Sequence, residues 1–240
     1  MAVVKKLTLG IRSEIRAFRV ESMRGLLIDA LLDARGSDIP ETYYTEMAES
    51  ADRALVSLMS EKDGNLLIVD RENIALTKTT YSHNGHVDLD KTFKEFMAVF
   101  GVVQRIVKFK GIRRIGLVAE HRLDAVKNNN IELLNTLTKL PSPEFPARFS
   151  LHYEIRTPST KSALDTVKGA FTNSIYDFYD SALDTSVPVE GKINANLDYQ
   201  KYYAPSLDTK IIEETEQHFY VFKKELKKFD EEIAKLGFKK

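Results

Sequence analysis

Hydrophobic positions between residues 88 and 111 recur at steps of four and three. The pattern begins at Leu89, Phe93, Phe96 and Phe100 and continues to Val107. A period near 3.5 residues is typical of a helix with one buried face. Residues 207–236 carry the same spacing and predict a second amphipathic helix of about 45 Å. We therefore expect two long helices, each with one apolar face.

Shorter segments have the composition and alternation of strands. Residues 54–60, 66–69 and 74–80 are separated by turn-forming residues, which predicts an antiparallel meander. Residues 3–20, 113–122, 149–156, 167–179 and 192–199 are further predicted strands, and residues 23–35 and 130–140 are predicted short helices. The predicted fold class is α+β, with helices on one side of antiparallel sheet.

The predicted elements occur in the same order twice: strand, short helix, three strands, long helix. This order favours a structural duplication with a boundary near Gly111, giving halves 1–111 and 112–240. The alternative is one continuous domain, in which a single large sheet packs against both long helices without any repeat. The sequence leaves open whether the halves form one sheet or two.

Composition narrows the functional classes. The 240 residues carry 35 basic and 35 acidic side chains, which argues against a strongly cationic nucleic-acid clamp. The chain has no cysteine, which excludes disulfides, thiolate nucleophiles and cysteine metal sites. No stretch has the roughly 18 consecutive apolar residues of a membrane helix, and the first ten residues do not read as a signal peptide. We expect a cytoplasmic protein without a membrane partner.

A polar segment precedes the first long helix. His83 and His86, together with Asp88 and Asp90, are residue types that bind divalent metals. Their spacing fits no metal-site signature, and both aspartates suit the first turn of a helix. We therefore expect a polar loop, with no metal or other cofactor.

Catalytic signatures are weak. Glu120 and His121 are general acid–base residue types, but neighbours on a strand point to opposite faces. The sequence contains no glycine-rich phosphate loop and no nucleophile elbow. An enzyme is the least favoured class, and no catalytic residue is assigned.

Two sets of residues are candidates for binding. A basic segment spanning residues 105–114 includes Phe109 and is a candidate contact for nucleic-acid phosphates; its cations also suit the negative end of a helix. Its members are Arg105, Lys108, Lys110, Arg113 and Arg114. Aromatic residues of the second half either form an interface with a partner or pack within the chain. These candidate interface residues are Phe219, Phe222, Phe229, Tyr199, Tyr202 and Tyr203.

Residues 114–122, R-I-G-L-V-A-E-H-R, resemble the R-I-G-L-R-Y-x-N-R strand of a sporadically distributed family of uncharacterised bacterial proteins. A late segment, residues 196–199 before a long helix, is also similar. Val118, Ala119 and His121 stand where the family usually has Arg, Tyr and Asn. The resemblance implies a bacterial protein from mobile or anti-phage defence gene neighbourhoods, and implies no known activity.

The leading hypothesis is a non-catalytic protein–protein interaction or accessory protein that binds a protein partner or self-associates. One alternative is a ligand- or client-binding domain with a groove between a long helix and the sheet. Another is a nucleic-acid-binding protein that uses residues 105–114.

Overall fold

The computed structural model describes residues 3–36, 39–40, 46–47, 54–82, 85–124, 150–159, 170–180 and 192–235. The strands are β1 (Val3–Ser13), β2 (Glu46–Met47), β3 (Val56–Ser60), β4 (Asn65–Val69), β5 (Asn73–Thr79), β6 (Ile112–Asp124), β7 (Ser150–Pro158), β8 (Phe171–Asp180) and β9 (Lys192–Leu207). The helices are α1 (Arg19–Ser22), α2 (Arg24–Asp33), α3 (Leu89–Val107) and α4 (Ile211–Lys235).

Within the described residues the strands form one antiparallel sheet in the order β2-β3-β4-β5-β1-β6-β9-β8-β7. Strands β1 and β6 pair at its centre, so strands of both sequence halves belong to the same sheet. The α+β class with an antiparallel sheet is thereby confirmed. No helix in the described ranges has both the length and the hydrophobicity that a transmembrane span requires.

One face of the sheet packs against α3 and α4. In β1, Leu7, Leu9 and Ile11 are buried on this face, at the alternate positions that a strand presents to one side. The helices contribute fully buried phenylalanines, and α3 contacts α4 through parallel stacking of Phe93 on Phe219, with ring centroids 3.8 Å apart. We call this side of the sheet the covered face.

The ends of α3 follow ordinary capping chemistry. The Asp88 carboxylate accepts a hydrogen bond from the Lys91 amide at 2.9 Å, which satisfies a free amide of the first turn. At the other end Lys108 adopts left-handed backbone with φ of 56° and Gly111 has φ of 64°. These two residues turn the chain from α3 into β6.

Several predicted boundaries differ from the structure. Strand β1 ends at Ser13 and α1 begins at Arg19, so residues 3–20 are not one extended segment. Strand β9 extends to Leu207, which pairs with Ile112, so α4 begins at Ile211 rather than at residue 207. Cross-strand pairing with β6 outweighs the helical spacing there. The short helix predicted at 130–140 lies outside the described residues.

Candidate binding surface on the open face of the sheet

The second face of the sheet lies opposite α3 and α4, and no described helix packs on its centre. We call it the open face. Its central side chains alternate with the buried ones of the covered face along β1, β6 and β9. They are Thr8, Gly10, Arg12, Arg114, Gly116, Val118, Asp198, Gln200 and Tyr202.

A depression of about 300 Å³ lies at the centre of the open face. Gly10 of β1 faces Gly116 of β6 directly across the sheet, and these two glycines form its floor. A Cβ at Gly10 would meet its nearest atom at 3.6 Å, and one at Gly116 at 3.7 Å, both ordinary contacts. Backbone geometry does not demand glycine at either position. What the glycines provide is the space itself, which lets another molecule approach the strands closely.

One wall of this central depression is a hydrogen-bonded row of side chains on β9. The Tyr202 hydroxyl donates to Gln200 Oε1 at 2.6 Å, and Gln200 Nε2 donates to Asp198 Oδ2 at 2.5 Å. Burial raises the pKa of Asp198, while the Gln200 hydrogen bond and the Arg114 charge act in the opposite direction. The row therefore holds a half-buried carboxyl group next to open space.

Three buried acceptor oxygens of this region have no hydrogen-bond donor within the described residues. They belong to Asp198, Asn196 and Asn173, all on the open face of β9 and β8. Asn173 is 4% exposed, and its amide nitrogen donates to Glu154 while its oxygen stays unpaired. Native proteins leave few such groups because each costs free energy. These oxygens are closed to solvent as the side chains stand, so a donor of another molecule would reach them only after neighbouring side chains shift.

Cationic and aromatic side chains continue from the central depression towards β7. The Arg114 guanidinium lies 6.0 Å from the Tyr202 ring centroid, and Tyr202 stacks on Phe171 at 4.5 Å. Arg156 lies 5.5 Å above the other partner of that stack, Phe171. Such contacts between cations and aromatic faces are attractive and hold the guanidinium groups near the surface.

The charges of the open face are mixed. Glu72 pairs with Arg16 at 2.9 Å and Arg12 at 3.4 Å, and the Arg16 hydrogen bond holds the pKa of Glu72 below its usual value. Glu120 lies 4.0 Å from Lys6 on the same face. Basic and acidic groups therefore alternate across this surface.

The five basic residues of the basic segment have different surroundings in the structure. Arg105, Lys108 and Lys110 are exposed around the end of α3. Arg113 donates to the Tyr203 carbonyl oxygen, and its neighbour Arg114 lines the central depression. Phe109 is buried in the core.

Most of the candidate interface aromatics are core residues. Within the described part of the chain the buried ones are Phe219, Phe222, Phe229, Tyr199 and Tyr203. Phe222 is fully enclosed between α4 and the sheet. Tyr202 differs, because it is partly exposed on the open face and lines a neighbouring depression together with Arg113 and Arg114. Sequence periodicity could not separate these two roles, since both kinds of residue occur in the same apolar segments.

The histidines occupy different environments. His83 lies outside the described residues, and His86 is exposed. Neighbouring Asp88 caps α3, and Asp90 pairs with Lys223 at 2.7 Å. No group of three or more potential metal ligands occurs within the ranges that the structure describes.

Glu120 and His121 face opposite sides of β6. Glu120 lies on the open face, whereas His121 is fully buried on the covered face with its Nε2 3.1 Å from Asp230 Oδ1 of α4. The two side chains therefore do not share a site.

Sequence reasoning did not identify the central depression. Gly10, Gly116 and Asp198 are far apart in the chain. The available signals were Gly116 and Asp198, which lie in the two segments that resemble the bacterial family. No known family model and no curated protein sequence matches the chain.

Proposed function

We propose that this chain is a non-catalytic interaction protein that binds a protein partner on its open face. The observation that supports the proposal most is the central depression with the half-buried Asp198 carboxyl group in its lining, one oxygen of which has no hydrogen-bond donor among the described residues. A partner that supplies an N–H or O–H donor, reaching this oxygen as neighbouring side chains shift, would satisfy it. Unpaired buried acceptors cost free energy in the free protein, so binding would recover part of that cost.

The charge pattern favours protein over nucleic acid as the partner. Asp198 and Glu72 lie close to Arg114 and Arg12 on this surface. A polyphosphate backbone would be repelled by these carboxylates, whereas protein segments present charges of both signs. Partly exposed Tyr202, held between Arg114 and Phe171, is a residue type enriched in protein interfaces.

Filling the central depression with a larger side chain tests the proposal. Gly116→Leu would occupy the depression, and its Cβ would lie 3.7 Å from the nearest atom, an ordinary contact distance. Gly101→Ala in α3 is the matched control, because no atom lies within 4 Å of its new Cβ and it is remote from this surface.

The experiment compares isotope-labelled affinity captures by wild type and both variants from lysate of the source cells, followed by direct titration of the purified partner. We expect Gly116→Leu to weaken the affinity for the partner at least about tenfold, and Gly101→Ala to leave the affinity unchanged. A partner that resists Gly116→Leu but is lost with Arg105→Glu and Lys108→Glu would contradict the proposal. A captured nucleic acid with steep salt dependence would instead support the basic segment.

We also infer that the chain is a duplicated strand–helix–three strands–helix unit. Counted outward from the centre, one half of the sheet has the order β1-β5-β4-β3 and the other β6-β9-β8-β7, which is the same order of elements; the two-residue β2 at the outer side of the first half has no counterpart among the described residues of the second. A long helix ends each half, and the two sequences Leu9-Gly10-Ile11 and Ile115-Gly116-Leu117 meet at the centre. The central depression would then lie on the axis that relates the two halves.

A circular permutant that begins at residue 112 and joins residue 240 to residue 1 by a flexible linker tests this inference. If the halves are equivalent units, the permutant should fold with near-wild-type stability, since either unit can precede the other. A permutant that does not fold would contradict the inference.

A further inference from the structure

Strand β7 is the outer strand at one side of the sheet. Its nine residues pair with β8 over their full length, and no described residue pairs with its other side. The opposite outer strand, β2, has only two residues. An outer strand of this length presents unpaired N–H and C=O groups that another strand can use.

Apolar side chains of β7 are more exposed than those of the central strands. Tyr153 is 42% exposed and Ile155 is 52% exposed, although both lie on the covered face in register with β8. Tyr153 stacks on Tyr176 at 4.9 Å, which orders its ring, while none of the described residues pairs with the other side of the strand. An added strand would bury both residues.

The charged residues of β7 alternate along the open face in an order that is self-complementary. Consider an antiparallel partner of identical sequence centred on Ile155. Glu154 of each copy then faces Arg156 of the other, which gives two opposite-charge pairs, and Tyr153 faces Thr157. Hydrogen bonding by Asn173 holds the pKa of Glu154 below its usual value, so this carboxylate is ionised at neutral pH.

Neighbouring registers are less favourable. Centring on Glu154 places the Glu154 carboxylates of the two copies against each other, which brings like charges together. Centring on Tyr153 places His152 opposite Glu154 and leaves Arg156 opposite Ser150 without an acidic partner. His152 is already hydrogen-bonded to Asp177 at 2.5 Å. The charge pattern thus selects the Ile155 register.

We propose that β7 pairs antiparallel with β7 of a second copy of this chain, about a two-fold axis at Ile155, so that the two sheets continue as one. The proposal is independent of the open-face proposal, because it uses the strand edge and not the central depression.

Charge exchange tests this pairing. Glu154→Arg and Arg156→Glu each place like charges across the axis twice, whereas the combined variant restores two opposite-charge pairs. Both side chains are exposed, but within one chain they pair with each other at 2.8 Å and Glu154 accepts from Asn173, so circular dichroism of each variant first checks that the monomer folds. We expect light scattering to give twice the 27.3 kDa chain mass for wild type. The dimer dissociation constant of each single variant should be about ten times that of wild type, and the combined variant should return to the wild-type value.

A cysteine scan tests the register, because the chain has no cysteine of its own. Ile155→Cys places the two sulfurs at the axis, where directly opposite Cα atoms lie about 4.5–5.5 Å apart, within disulfide range. Tyr153→Cys and Glu154→Cys are the controls, since each crosslinks only in one of the neighbouring registers. Mild oxidation should yield a covalent dimer for Ile155→Cys and much less for the controls.

The outcomes separate cleanly. A monomer throughout a concentration series, or a dimer that is indifferent to single charge reversal, would overturn the proposal. Preferential crosslinking at residue 153 or 154 would overturn the Ile155 register. Recovery by the combined variant together with crosslinking at residue 155 would support the pairing.

Discussion

The two faces of the central sheet share strands but differ in what they contain. On the covered face, Leu9 and Leu117 face each other beneath α3 and α4, and apolar side chains fill the space. One residue further along, Gly10 faces Gly116 on the open face, and the depression there is bordered by half-buried Asp198. The covered face is apolar and closely packed, whereas the open face carries polar groups, among them an Asp198 oxygen that no described donor reaches. This difference is why we propose the open face as the binding surface.

The largest expected contrast is between one aromatic on each face. Phe222→Ala on the covered face removes a fully buried ring and should lower the free energy of unfolding by about 4 kcal/mol. Tyr202→Ala on the open face removes a partly exposed ring that stacks on Phe171 and should cost about 1 kcal/mol. Urea unfolding of both variants checks this contrast, and equal losses would contradict it.

Ion pairs offer the second contrast. Lys78 Nζ lies 3.0 Å from the carboxylate of Glu95, a residue of α3 that is only 1% exposed. Lys78→Met removes the ammonium group that faces this buried carboxylate and should cost about 3 kcal/mol. Arg12→Met on the open face breaks a 3.4 Å pair with Glu72 and should change stability by less than about 0.5 kcal/mol, because Arg12 is half exposed.

A double variant separates the charge effect from packing. Lys78→Met combined with Glu95→Leu should recover most of the loss, because it removes the carboxylate as well. Urea unfolding at pH 7 measures all three variants. A double variant as unstable as Lys78→Met alone would show that the loss came from packing and not from the buried charge.

The third contrast is in pH dependence. The pKa of His218 is lowered to about 4, chiefly by burial between α4 and the sheet and also by the Lys201 charge, while the Tyr199 carbonyl and Glu214 act in the opposite direction. The folded state therefore favours the neutral imidazole, and its contribution to stability is present above pH 6.5 and is lost as pH falls towards 4. We expect the free energy of unfolding to drop by up to about 1.4 kcal/mol per pH unit in this window.

His218→Phe tests the assignment, since a phenyl ring can keep the stacking on Tyr199 but does not titrate. Denaturant unfolding between pH 7 and pH 4.5 should show a flatter dependence for this variant than for wild type. His152→Phe is the control, because His152 is exposed on β7. An unchanged slope for His218→Phe would assign the pH dependence to other groups.

Much of the covered face could be predicted from the sequence, because burial of one side of each helix or strand repeats apolar residues at a fixed spacing. The steps of three and four from Leu89 to Val107 correspond to α3, and Asp88 was identified as a suitable start for this helix. Alternation placed Glu120 and His121 on opposite faces of β6, as the structure has them. Burial leaves such patterns because each helix or strand presents one side to the core.

The open face was not accessible in the same way. Gly10, Gly116 and Asp198 meet only through the pairing of β1, β6 and β9, and strand order is a long-range property that no local pattern encodes. The extension of β9 to Leu207 was missed for the same reason, since pairing with β6 decides where that strand ends. Arg114 illustrates both cases. Its basic side chain suggested a binding role from the sequence, but only the pairing of β6 with β1 and β9 shows that it lies on the open face.

The remaining prediction, a small change in stability that is the most informative about function, concerns Asp198→Asn. Burial raises the pKa of Asp198, so its contribution to stability is greatest at low pH and is lost as pH rises through the folded-state pKa. The neutral amide removes this loss and can still accept the Gln200 hydrogen bond, so Tm at pH 7 should rise by about 2 °C.

The same change removes a charged acceptor and should weaken capture of an open-face partner about tenfold. Thermal unfolding and quantitative capture, with exposed Glu216→Gln of α4 as the control, measure both effects. A gain in stability with a loss of binding is the outcome expected of a residue kept for recognition. A loss of stability with unchanged capture would instead place Asp198 among the structural residues and leave the open face without its main recognition group.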